Sequence, residues 1–232
     1  MPGLRLEGVA LRIGGRTLLE GFDLEVAPGT ITTLMGPSGC GKSSLLSLIC
    51  GTLEPGFAWS GSVFVGGRPV LELPPERRRV GILFQDDMLF PHLSVGENLG
   101  FALPRSVRGE ARQKRIEGAL EEAELPGFAD RDPSTLSGGQ RSRVALLRTL
   151  LAEPRALLLD EPFARLDAAL KGRIRSFVFD HARDAGLPTL LVTHDPDDAC
   201  PTGGPVVDFP SVTSAEAALE PVPAGVRRPG FA

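Results

Sequence analysis

The residues Gly36-Pro37-Ser38-Gly39-Cys40-Gly41-Lys42-Ser43-Ser44 constrain this chain more than any others. They fit G-x-x-x-x-G-K-[ST]. Ahead of them, Ile31-Thr32-Thr33-Leu34-Met35 is β-branched and apolar, which predicts a buried strand. Behind them, Ser43 to Cys50 carries Leu45, Leu46, Leu48 and Ile49, which predicts a helix stopped by Gly51. The order is strand, glycine loop, helix. Glycines let the backbone turn so that successive N–H groups face phosphate oxygens, and the helix N-terminus adds partial positive charge. In that arrangement Lys42 reaches the outer phosphates of a nucleotide and the Ser43 hydroxyl is a Mg²⁺ ligand. The alternative is a glycine turn that binds nothing.

The rest of the chain alternates in the same way. Leu4, Leu6, Leu11 and Ile13, then Phe22, Leu24 and Val26, predict two strands joined at Gly14-Gly15. Val80, Ile82 and Phe84 predict a strand ending near Gln85. Glu110 to Ala123 is amphipathic, with Ile116, Ala119, Leu120 and Ala123 on its apolar side. Val144, Leu147 and Leu151 mark a helix, and Leu170, Ile174, Phe177 and Val178 another. Ala156 to Asp160 and Thr189 to Thr193 are short apolar runs that predict buried strands, and Val206 to Phe209 a last one. This pattern predicts an α/β fold. It has a P-loop NTPase core with a mostly parallel sheet, an N-terminal antiparallel β subdomain and a helical subdomain inserted at about 87–150. One domain is expected over 1–209. Residues 210–232 form a proline-rich tail, in which Thr213 to Glu216 is a possible helix start.

Composition narrows the function. A net charge of -4 offers no general basic surface, so no nucleic-acid partner is expected. No apolar run reaches membrane-spanning length. The opening MPGLRLEGVALRIGG lacks the pattern of a signal peptide. Cys40, Cys50 and Cys200 are odd in number and irregularly spaced, which suits free thiols in a reducing compartment. A cytoplasmic location is the expectation.

Two acids, Asp160-Glu161, close the strand that starts at Ala156, and ligands bind at carboxyl ends of strands in open α/β sheets. Beside a phosphate loop, Asp160 would hold Mg²⁺ and Glu161 would polarise an attacking water. The alternative is that both acids cap a turn before Pro162. His194 follows another strand and can hydrogen-bond a terminal phosphate, or serve as a turn residue. The Gln85 amide can join the Mg²⁺ or water shell, or simply end its strand. Asp195, Asp197 and Asp198 beside Cys200 match no familiar metal spacing. Finally, Leu136-Ser137-Gly138-Gly139-Gln140 is a second glycine-rich helix start, in a chain that already has one phosphate loop.

The phosphate loop, Gln85, LSGGQ, Asp160-Glu161 and His194, in that order, resemble the ATP-binding cassette of ABC transporters. The resemblance covers residues 1 to about 200. It implies ATP and Mg²⁺ as cofactors, and a dimer of two copies with two ATP molecules sandwiched head to tail. Ser137, Gly138, Gly139 and Gln140 would then face the γ-phosphate held by a second copy, and Asp167 would match the acid that signals across the dimer. In this family an aromatic residue usually stacks on adenine, and Ile13 stands in that place. Arg165 stands where a small residue is usual. No C-terminal regulatory domain is expected. The segment from Asp86 to Leu99 looks like importer cassettes for small solutes and ions. Met88, Leu89 and Phe90 would line a groove for transmembrane permease subunits, with a solute-binding protein as an indirect partner. The implied role is the ATPase subunit of an importer, peripheral on the cytoplasmic side of the cell membrane. The alternative is a soluble ATP-driven clamp or regulator without a membrane partner. A small-molecule kinase would leave LSGGQ without a task.

Overall fold

The computed structural model describes residues 3–84, 87–166 and 168–210. Gln85, Asp167 and the possible helix start at Thr213 to Glu216 lie outside them. The chain opens with β1 (Leu4–Ile13) and β2 (Arg16–Val26), an antiparallel hairpin. Gly14 and Gly15 turn it with φ of 55° and 79°. Positive φ at both central residues is what a tight hairpin turn of the right twist needs, and glycine supplies it without a Cβ clash. Next come β3 (Ile31–Met35), α1 (Lys42–Cys50), β4 (Phe57–Val65), β5 (Arg68–Pro69), α2 (Pro75–Arg78) and β6 (Val80–Leu83). Three helices follow: α3 (Val95–Ala102), α4 (Gly109–Glu122) and α5 (Gly138–Leu151). The chain then runs through β7 (Ala156–Asp160), α6 (Ala168–Asp184), β8 (Thr189–Val192), α7 (Pro196–Ala199) and β9 (Val206–Asp208).

Two sheets result. One is antiparallel, in the order β2-β1-β4-β5, and the other parallel, in the order β6-β7-β8-β3-β9. All five residues of β7 and all four of β8 are buried. A central parallel strand is covered on both faces, which is why these segments read as continuous apolar runs. The two-residue period still sorts their side chains. Leu158, Leu190 and Val192 join a core with α1 and the antiparallel sheet, through Leu45, Leu46, Leu6 and Leu11. Leu157, Leu159 and Leu191 face the other way, toward Ala145 and Leu146 of α5 and Ile174, Val178 and Phe179 of α6. A third core belongs to the helices between β6 and β7, where Val95 and Leu99 meet Ile116, Leu120, Val144 and Leu147.

Register sets the working edge. Leu34 of β3 pairs with Val192 of β8, and Val192 pairs with Asp160 of β7. The residues after Met35, Asp160 and Val192 therefore leave the sheet side by side, at the carboxyl ends of neighbouring strands.

The structure adds elements that the sequence pattern does not announce. β4 and β5 were not expected, nor was the short α2. β4 pairs with β1 along nearly its whole length, from Leu4↔Val65 to Ile13↔Phe57. β6 stops at Leu83, one residue short of Phe84.

At its C-terminus, α1 is held by one side chain. Arg78 is only 8% exposed. Its Nη1 donates to the Leu48 and Ile49 carbonyls at 2.6 and 3.1 Å, its Nε to Leu73 at 2.8 Å and its Nη2 to Leu71 at 3.0 Å. A cation also meets the negative end of the helix dipole there. Space for the guanidinium comes from Gly51, at φ 93°, where a Cβ would lie 2.8 Å from Arg78. Arg78→Ala would leave buried carbonyls without a donor, at a cost of about 3 kcal/mol. For a chain of this size that lowers Tm by about 6–12 °C. Arg78→Lys should recover little, because an ammonium cannot reproduce the four-carbonyl fork. Thermal unfolding of both variants checks this.

Candidate functional site

The loop from Gly36 to Gly41 is shaped by contacts on both sides. A Cβ at Gly36 would come within 3.0 Å of Phe209, and one at Gly41 within 3.2 Å of Leu18. Gly39 and Gly41 also adopt φ of 75° and 114°. The hairpin and the end of β9 thus press the loop into a curve only glycine tolerates. Pro37, Ser38, Gly39 and Ser43 are exposed, Cys40 and Ser44 half-buried, and Lys42 buried. Lys42 Nζ donates to the Gly36 and Pro37 carbonyls, both at 2.7 Å, and lies 3.6 Å from Cys40 Sγ. The ammonium is therefore held under the loop. Gly41 caps α1 without a side chain, and no acid occupies the first turn. The opening N–H groups of that helix are left for an anion.

Asp160 ends β7 at 7% exposure, with the Ser43 hydroxyl near enough to act on its carboxyl. Burial raises its pKa above the ordinary carboxylate value, and the neighbouring Glu161 adds to this. The Ser43 hydroxyl and the Lys42 charge pull the other way. A hydroxyl and a neighbouring carboxylate are hard oxygen donors of the kind Mg²⁺ accepts alongside water. A divalent cation would also relieve the cost of a buried carboxylate. The donor set fits Mg²⁺.

Glu161 turns away from its neighbour. Its backbone sits at φ 47°, a left-handed conformation that costs a non-glycine residue of order 1–3 kcal/mol. Its N–H is held by the Val192 carbonyl at 2.9 Å. The turn aims its side chain at the end of β8, where Oε1 lies 2.8 Å from His194 Nδ1. The His194 side chain is 65% exposed and that of Glu161 24%. Two adjacent acids thus have separate partners. Asp160 meets the phosphate-loop helix, and Glu161 meets the histidine.

Ser137 caps α5. Its Oγ accepts from Gln140 N at 3.3 Å, and its N–H donates to Gln140 Oε1 at 2.9 Å, a reciprocal capping box. A Cβ at Gly138 would meet nothing closer than Arg141 at 3.9 Å, whereas one at Gly139 would meet the Arg165 carbonyl at 3.3 Å. Ser137 and Gln140 therefore bond to each other rather than to residues 36–44. Gly138 is the open position of the four. Ile13 ends β1, 37% exposed, opposite Arg16 on β2 and Phe57 on β4.

Several residues of this region were not picked out by sequence reading. Asp87 accepts from Ser142 Oγ at 2.6 Å and lies near Arg141 at 3.6 Å and Arg165 at 3.4 Å. It gives Arg165 a partner. The acids after His194 meet cations: Asp195 pairs with Lys171, and Asp198 with Lys171 and Arg175. Among the described residues no group of three or more His, Cys, Asp or Glu could hold a metal ion. These long-range pairings join residues with no shared local pattern.

The chain is similar to known proteins in sequence and fold. A family model described as ABC transporter matches residues 19–164. The chain is 48% identical over 206 residues to the ABC transporter ATP-binding protein YnjD of Escherichia coli (strain K12), covering 89% of this chain and 94% of the relative. It is 46% identical over 207 residues to the Fe(3+) ions import ATP-binding protein FbpC 3 of Rhodococcus jostii (strain RHA1), with 88% and 58% covered. It is 41% identical over 197 residues to FbpC of Pasteurella multocida (strain Pm70), with 84% and 56% covered. The chain thus spans little more than half the length of these FbpC relatives. The fold superposes on the dimeric structure of MJ0796, a bacterial ABC transporter cassette, with a TM-score of 0.78 and 30% identity, covering 89% and 94%. It matches that cassette bound to ADP and Pi, in a post-hydrolysis state, equally well. By its sequence and fold the chain is an ATP hydrolase and belongs to the ABC transporter family.

Proposed function

We propose that this chain is the ATPase subunit of an importer for a small solute or ion. It closes as a dimer on two ATP molecules and drives a membrane permease. The observation that carries the hydrolytic part is the Glu161–His194 contact beside the buried Asp160. Residues 36–44 bind the phosphates of ATP, with Lys42 exchanging its loop carbonyls for phosphate oxygens. Ser43, Asp160 and Gln85 hold Mg²⁺, which when bound neutralises phosphate charge. Glu161 accepts a proton from the attacking water, and His194 orients the glutamate and the outer phosphate. Ile13 covers the adenine with an aliphatic surface.

The LSGGQ segment serves the other copy. Gly138 and Gly139 open a helix with no acid in its first turn. Ser137 keeps its hydroxyl proton to donate, because its oxygen already accepts from Gln140. Such a helix start favours an anion, and the phosphate loop of its own chain is already provided with one. In the dimer, Ser137 to Gln140 meet the γ-phosphate bound by the second copy. Asp167 carries the change across the interface. Affinity for the closed state then depends on that phosphate and is lost on hydrolysis.

Import through a permease is supported by the names of the FbpC relatives and by a surface beyond β6. Met88 is 64% exposed and Phe101 69%. The Phe101 ring lies edge-on to Phe90 at 5.0 Å. Leu89 anchors the segment between two cores. Exposed apolar side chains grouped this way suit a partner surface. Among the described residues no helix is long and apolar enough to cross a membrane. In the proposed assembly the chain sits on the cytoplasmic face of the permease. Purification from its native cell should bring a multi-spanning membrane protein with it; soluble partners alone would favour the clamp reading.

Two variants test the chemistry. Glu161→Gln should slow hydrolysis by about 10²–10⁴-fold and accumulate an ATP-bound dimer, seen by size-exclusion chromatography with light scattering. A variant that stays monomeric with ATP contradicts the assignment. Ser137→Arg should abolish hydrolysis and dimerisation while a single protomer still binds ATP, measured by titration calorimetry. Loss of the cap costs about 1 kcal/mol, which the fold should tolerate.

A further inference from the structure

The turn that carries His194 is held from outside. With its ring largely exposed, His194 has little packing of its own, so its position follows from its chain neighbours. Both neighbours are pinned. Thr193 Oγ1 accepts from Asp195 N at 3.0 Å and donates to Asp198 Oδ2 at 3.4 Å. Asp195 Oδ1 accepts from Asp197 N at 2.9 Å, and its Oδ2 takes Lys171 Nζ at 2.5 Å. The same ammonium lies 3.0 Å from Asp198, which is 3% exposed. Arg175 lies 3.3 Å from that acid and donates to the Asp197 carbonyl. Burial alone would depress the Lys171 pKa, but its bonds to Asp195 and Asp198 outweigh this and raise it. The lysine holds its charge and two acids at once.

We infer that Lys171 is a positioning residue for hydrolysis: bonded to Asp195 and Asp198, its ammonium fixes the turn that presents His194 to Glu161. The inference rests on the assignment of Glu161 and His194 to the attacking water. Lys171 lies in the first turn of α6, the helix that starts directly after Asp167. A movement of that helix start is thus transmitted to His194 through two ion pairs rather than through the sheet. Arg175 still holds Asp198 and the Asp197 carbonyl when Lys171 is replaced, so Asp195, the residue next to His194, loses its tie to α6 without a buried charge being left alone. A displacement of about 1 Å at a reacting group is worth about 10²-fold in rate.

The test is steady-state ATP hydrolysis by the full chain over a range of ATP concentrations, with Tm and ATP affinity measured on the same samples. Lys171→Met should lower kcat by about 10–100-fold while ATP affinity and Tm stay near those of the unaltered chain. Lys171→Arg, which keeps a cation in reach of both acids, should restore most of kcat. Asp195→Asn breaks the same pair from the exposed side and should reproduce the loss, which guards against misfolding of the first variant. On a His194→Ala background, Lys171→Met should add little, because residues acting through one another are not additive. An unchanged kcat in Lys171→Met, a full further loss on the His194→Ala background, or no recovery with arginine would each overturn the inference. An unaltered chain that binds ATP and never hydrolyses it would instead overturn the assignment of Glu161 and His194.

Discussion

The parallel pairing of β7, β8 and β3 is what the site depends on. Four-residue registers align Leu34, Val192 and Asp160 across three strands. Everything that follows those residues then leaves the sheet at one edge: the glycine loop, Glu161, and the Thr193-His194 turn. A one-residue slip in β7 would also move Leu157 and Leu159 to the face now held by Leu158, so the cores on either side enforce the register. Hydrophobic sorting on both faces is thus the source of the geometry at the edge.

At that edge, adjacent acids are put to different uses by backbone conformation. Asp160 is still in the strand and buried, beside the start of α1. Glu161 has already turned, with φ in the left-handed region, and reaches His194. Extended backbone would send the two side chains to opposite faces of the sheet, into two cores. The strain at Glu161 is offset by its N–H bond to Val192 and by the pairing that ends there.

Much of this was legible in the sequence, for identifiable reasons. β7 and β8 are buried on both faces, so their apolar runs had few other readings. The phosphate loop is local chemistry, in which spacing along the chain is spacing in space. Gly14-Gly15 announces its turn because two successive left-handed residues are needed there. β4 was missed because Ser60, Gly61 and Ser62 interrupt it, although Phe57, Trp59, Val63 and Val65 keep a two-residue period. The start of α3 carried a signal, the capping box of Ser94 and Glu97. Nothing local announces the partners of Asp87, or the pairing of Lys171 with Asp195 and Asp198. They are made by side chains 24 to 78 residues apart, brought near only by the finished sheet and helices.

The same distinction bears on LSGGQ. Its pattern suggests a second phosphate site, and its own structure is that of a helix cap. Ser137 and Gln140 satisfy each other, Leu136 is buried, and Gly139 packs against the segment around Arg165. What remains outward is one hydroxyl proton, the N–H groups of a first turn free of acids, and the open side of Gly138. A lone helix start of this kind has no built pocket and would bind a free phosphate poorly. Held against a phosphate already fixed by another copy's loop, it loses little entropy in ordering and gains charge-assisted bonds. The weakness of the cap as a site by itself is therefore what makes closure of the proposed dimer conditional on the nucleotide.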